Sequence, residues 1–243
     1  MTYRELQTGP IVAAARRLAA RIQERFPEAG LGGVAHELIG VAERCAAEAE
    51  RLRRPNHTIR ALVWFLWLGG AAGLVVVARA LHYDGLDLTD ASTLVQLTEP
   101  AMNIAVLVGL GVLTLARLET RWKRGRASAY LHELRSLIHI ADMHQLTKDP
   151  YRGTGILAPT AHSPPARVTG AMLERYLDYC AEIAALTGKL AAALAQSCRD
   201  PEVTHAAADV EQLAAGLSQR IWQKIMTVDR APADRLTAVS EQP

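Results

Sequence analysis

Between Arg126 and Pro150 the chain reads RASAYLHELRSLIHIADMHQLTKDP, a stretch in which histidine, arginine and carboxylate recur at helical spacing. At 100° per residue, His132, Arg135, His139 and Asp142 fall on one stripe, well away from the apolar face that carries Leu134, whereas His144 points elsewhere. Two histidines at i and i+7 with an aspartate at i+10 supply nitrogen and oxygen donors of the kind that hold zinc. The spacing argues the other way. Helical zinc pairs place their histidines four residues apart, and this sequence has no such pair. Arg135, His139 and Asp142 at i, i+4 and i+7 fit ion pairing at least as well. The stripe is therefore expected to be an interaction or ligand surface and not a catalytic centre, with no metal and no cofactor.

Arg126 and His132 also match the spacing of the RNA-cleaving motif of HEPN-type helical nucleases. Ala127 stands where that motif has a polar residue directly after the arginine. A phosphate-binding glycine loop, a GxSxG nucleophile, an HExxH pair and a CxxC pair are all missing from the sequence. Net charge is only +2, and the basic clusters have another explanation, so no nucleic acid is expected as a partner. Cys45, Cys180 and Cys198 read as reduced, half-buried small residues.

The elements that must position the stripe are helices, two of them unusual. Ala61 to Ala78 and Ala101 to Ala116 are charge-free apolar runs, 22 residues apart, in a chain otherwise full of arginine and glutamate. With its flanks each reaches the roughly 20 residues that a bilayer requires. Residues 59–81 and 100–118 are therefore expected to span the membrane, joined by a short acidic loop, 82–99. Nine basic residues (Arg51, Arg53, Arg54, Arg60, Arg117, Arg121, Lys123, Arg124 and Arg126) lie on the outer flanks of the pair, and the loop has none. Both termini should accordingly be cytoplasmic, and the spans should act as the targeting signal. Gly69 and Gly73, like Ala105 and Gly109, are four apart and are expected to let the spans approach closely, or to let chains associate as a homo-oligomer.

The remaining sequence reads as helix almost throughout, an all-α fold in which a transmembrane hairpin carries a cytoplasmic antiparallel helical bundle with coiled-coil-like seams. Residues 1–58 hold two amphipathic helices, one with the face Ile11, Ala15, Leu18, Ile22 and Phe26, the other with Val34, Leu38, Val41, Cys45, Ala49 and Leu52. Residues 119–228 are expected to supply three more, interrupted by a Pro and Gly rich loop at 149–168, with a disordered tail from 229 to 243. Their seams are Tyr130, Leu131, Leu134, Leu137, Ile138 and Ala141; then Leu173, Tyr176, Cys180, Ile183, Thr187, Leu190 and Leu194; then Val203, Ala206, Val210, Leu213, Leu217 and Ile221. Asp200 and Pro201 should start the last helix, which makes it an antiparallel neighbour of the one before.

The blocks LIHIADMHQLTKDP, MLERYLDYCAEIAALTGKLAAALAQS and GLSQRIWQKIM resemble an uncharacterised family of bacterial two-span membrane proteins, most specifically over Arg121 to Met226. The resemblance implies the architecture and an inner-membrane location, and transfers no catalytic residue. Three functions of different classes follow. The chain is expected to be a membrane-anchored interaction, scaffold or signalling module with a cytoplasmic protein partner or copies of itself. The alternatives are an oligomeric pore or membrane-perturbing effector, and a membrane-tethered hydrolase or HEPN-like nuclease working through the His132 stripe.

Overall fold

A computed structural model describes residues 5–83, 91–148, 160–163, 168 and 170–229. These residues are all-helical, in six helices: α1 (Thr8–Arg25), α2 (Leu31–Arg53), α3 (His57–Tyr83), α4 (Ala91–Leu146), α5 (Gly170–Cys198) and α6 (Pro201–Asp229). The expected tail and nearly all of the expected 149–168 loop lie outside the described residues. The helices form two compact units, one made of residues 54–125 and one of the segments on either side.

In the larger unit α1, α2, α5, α6 and the last part of α4 bury a single apolar core. The faces expected of α1 and α2 are the ones buried, from Ile11 to Phe26 and from Val34 to Leu52. Phe26 ends α1, its N–H bonded to the Ile22 carbonyl at 2.7 Å, and its ring stands edge-on to Tyr176 and Tyr179 at 5.4 and 6.1 Å between centroids. That geometry sets a positive ring edge against a negative ring face. The α5 to α6 turn is made by Arg199 in the left-handed region (φ 51°) followed by Asp200. Asp200 Oδ1 accepts hydrogen bonds from the N–H groups of Glu202 and Val203 at 3.0 and 3.2 Å, the expected cap on the orphan donors at the start of α6.

Two expectations about seams change. The single apolar stripe expected on α5 is too narrow, because the helix buries Leu177, Ala184, Gly188, Ala191 and Ala193 in addition to every residue of that stripe. It is the central helix, packed on α1, α2 and α6. Its alanines and Gly188 look neutral in a hydrophobic pattern but permit close approach, with the Ala214 methyl 3.4 Å from where a Cβ on Gly188 would stand. On α6 the buried positions are Val203, Ala207, Val210, Ala214, Leu217, Ile221 and Ile225, while Ala206 and Leu213 are only half-buried. The row 203, 207, 210, 214, 217, 221 keeps a regular four-three repeat and moves only the alternate positions of the expected seam by one residue, or 100° around the helix.

The second unit holds α3 beside residues 91–125 of α4. Asn56 Oδ1 accepts from the Thr58 N–H at 3.2 Å and caps the start of α3. Helix extends to Tyr83 and resumes at Ala91, so most of the expected 82–99 connection is helical, and residues 84–90 lie outside the described residues. α4 also runs unbroken through the boundary expected at 118.

One helix among the described residues is long and apolar enough to cross a membrane by length and composition, the Met102–Leu146 portion of α4, and none of its apolar window is buried. On α3 the side chains Leu62, Trp64, Phe65, Trp67, Leu68, Val75 and Val76 are exposed. These rows are apolar surface left uncovered among the described residues.

The helices meet through different glycines from those expected. A Cβ on Gly70 would stand 2.7 Å from Val108 Cγ2, and one on Gly111 would stand 2.9 Å from Leu66 Cδ2. Gly73 has only ordinary contact, with Ile104 Cδ1 at 3.9 Å, whereas Gly69 and Gly109 face open space and Ala105 is exposed. The reason is a shift of one residue, or 100°, on α3: the four-residue spacing is visible in the sequence but not which face meets α4.

Candidate interaction surface

The stripe expected on α4 divides between two faces. His132 and His139 are exposed on the outward face, while Arg135 and Asp142 turn toward α6. Asp142 accepts from Arg220 Nη2 of α6 at 3.1 Å and from Gln145 Nε2 at 2.7 Å. Arg135 lines a shallow groove with Asp209, Gln212, Leu213, Gly216 and Arg220. The four residues thus do not converge on one point: the ion pair that forms runs across to Arg220, not along the stripe through His139. Among the described residues no group of three or more His, Cys, Asp or Glu side chains is placed to hold a metal ion.

Arg126 and His132 are likewise separated. Six residues on a helix is a turn of 600°, which leaves the two side chains 120° apart. Arg126 points to α2, where its Nε and Nη2 donate to Glu48 Oε1 and Oε2 at 2.5 and 2.6 Å. Glu48 is 1% exposed, and the bidentate bond raises the Arg126 pKa. Sequence reasoning passed over Glu48. The signal is present all the same, because Glu48 shares the α2 stripe of Cys45, Ala49 and Leu52, and a carboxylate inside an apolar stripe needs a partner.

Further links hold α4 in place. Arg44 of α2 donates to Glu133 at 3.0 Å, and Lys224 of α6 donates to the Gln145 and Lys148 carbonyls at 2.9 and 3.4 Å, where the end of a helix leaves acceptors unfilled. His144 lies over the α1 to α2 turn. A Cβ on Gly30 would stand 2.7 Å from His144 Cε1, so only glycine leaves the ring its place. Burial and the nearby Lys148 ammonium lower the His144 pKa. Burial pushes the Cys45 and Cys180 thiols up to about 12, which removes the thiolate that nucleophilic or metal chemistry requires.

With α2 on one flank and α6 on the other, α4 presents the outward face of Ala129, His132, Ser136, His139, Met143 and Leu146, all exposed. No family model matches the chain, and neither a curated protein nor a solved structure matches it.

Proposed function

We propose that the chain is a two-span protein of the bacterial inner membrane with both termini in the cytoplasm, and that its bundle is an interaction module. The observation that carries this reading is α4 itself. One unbroken helix supplies an exposed apolar stretch of membrane length and, further along, the exposed face of His132 and His139. Apolar rows on α3 fit a second span, and the nine basic residues flanking the pair fit an inward orientation of both ends.

A module of this kind needs a stable core, a fixed face and no reactive group. The buried, protonated thiols and the divided stripe suit that role better than catalysis. Topology is the decisive test. A cysteine introduced at Thr89 should react with an impermeant maleimide in intact cells, and one at Glu24 should react only after the membrane is opened. Labelling at Glu24 in intact cells would overturn the proposal.

A further inference from the structure

The nine basic residues that flank the two apolar runs are not equivalent in the structure. Arg126 and Arg51 face Glu48, and Arg53 reaches Glu5 and Ser197. Lys123 pairs with Glu119 at 3.0 Å and donates to the Arg54 carbonyl at 3.3 Å, and the Arg60 charge also acts on Glu119. Arg54 and Arg124 are engaged as well. Arg117 and Arg121 differ: both are exposed, and neither has a partner among the described residues.

The place of these two on α4 is specific. Val106, Leu110, Leu113, Arg117 and Arg121 follow one another at intervals of four, three, four and four, which keeps them within an arc of about 80°. That arc is turned away from α3, which α4 meets through Val108 and Gly111. Val106, Leu110 and Leu113 are 61%, 61% and 58% exposed. From Val106 to Arg117 the helix rises about 16 Å, close to the roughly 15 Å of one hydrocarbon leaflet. A single open row therefore passes from apolar to doubly cationic over the length of an acyl chain.

We infer that Arg117 and Arg121 hold the headgroup phosphate of an anionic phospholipid whose acyl chains lie along Leu110 and Val106. The proposal rests on the membrane reading and deepens it by naming the ligand of this face.

Charge and depth together select the occupant. Like charges four apart on an exposed helix face repel one another. The nearest carboxylate on the helix, Glu119, stands about 160° round from both arginines and is taken by Lys123. A phosphate between the two guanidiniums removes the repulsion, and its oxygens match the paired N–H donors of each fork. A zwitterionic headgroup offers the same phosphate but brings its own cation, so a headgroup of net negative charge is preferred. A soluble anion has no use for the leucines, whereas a phospholipid covers them and reaches the arginines in one molecule.

The test uses the full chain, purified in neutral detergent with equimolar phosphatidylglycerol and phosphatidylcholine and weighed with its bound lipid by native mass spectrometry. The wild type should retain phosphatidylglycerol in preference. Arg117→Gln with Arg121→Gln should reduce that preference by at least about fivefold, the contribution of one arginine at an anionic surface. Arg51→Gln with Arg60→Gln removes the same charge from two other exposed positions of the flanks and should leave most of the preference in place. Circular dichroism should be the same for all three chains. Equal loss in the two double variants would mean a diffuse attraction and overturns the site. Equal retention of both lipids by the wild type, displacement of the lipid by inorganic phosphate, or an acidic protein recovered in its place overturns it too. Release of the chain from native membranes by an alkaline wash overturns instead the membrane reading beneath it.

Discussion

Arg126 of α4 and Glu48 of α2 are joined through two charge-assisted hydrogen bonds at 2.5 and 2.6 Å. The guanidinium is partly exposed while the carboxylate is buried, so the carboxylate is the partner that cannot do without the other. Arg51, whose Nη1 lies 3.9 Å from Glu48 Oε2, is a distant second cation.

Arg126→Ala should therefore destabilise the packed unit by about 3 to 5 kcal/mol, because it leaves an uncompensated buried charge. Glu48→Gln should cost less, and the Glu48→Leu, Arg126→Met pair should recover most of the loss. Urea unfolding followed by circular dichroism reads all three. Equal costs for the single and double variants would show that the pair contributes by packing and not through its charges.

A second expectation concerns the seams of α5 and α6. Ile183 is fully buried and Leu213 is half-buried beside Arg135 and Arg220. Ile183→Ala should cost about 2 to 5 kcal/mol, and Leu213→Ala markedly less. Ala214→Leu should be the most disruptive change on α6, since the Ala214 methyl stands close to Gly188. If Leu213→Ala costs as much as Ile183→Ala, α6 is rotated from the position described.

How much of this is legible in the sequence depends on what each signal encodes. The buried faces of α1 and α2 are, because large apolar residues at three and four spacing mark a face without further information. The cap at Asp200 is, because an aspartate before a proline is a local signal. The width of α5 is not: alanine and glycine carry little hydrophobic pattern, and their burial follows from which helices surround them. Nor is the division of the α4 stripe. Periodicity places His132, Arg135, His139 and Asp142 within one arc, but only the neighbouring Arg220 decides that Asp142 turns inward while His139 stays out. Glu48 escapes for the same reason, its partner lying 78 residues away.

The glycines of the second unit give a contrast at adjacent positions. Gly70→Val should push α3 off α4, because its Cβ would stand 2.7 Å from Val108 Cγ2. Gly69→Val meets open space and should leave the pair intact. Proximity of α3 and α4 can be read from disulfide formation between cysteines at Leu66 and Gly111, which leaves Val108 in place. Cross-linking lost in the Gly69 variant and kept in the Gly70 variant would reverse the assignment of faces.

His144 provides the pH dependence. Its imidazole is partly buried over Gly30, and burial together with Lys148 holds its pKa below the ordinary 6.5. From α6, the Lys224 ammonium sits on the Gln145 and Lys148 carbonyls close by and adds no counter-charge for an imidazolium. The folded chain therefore binds the proton less readily than the unfolded one. As pH falls through about 6.5 the unfolded state takes up its proton first, so stability is fully present above that value and is lost toward the lower folded pKa. His144→Gln removes the titration, and unfolding midpoints measured between about pH 8 and about pH 5 should fall more steeply for the wild type than for the variant. Gly30→Ala supplies the structural check: its new methyl should displace the ring and cost about 1 to 3 kcal/mol, a penalty relieved in a His144→Ala background. Parallel pH profiles for wild type and His144→Gln, combined with an unrelieved Gly30→Ala penalty, would mean that the ring is not seated on this turn.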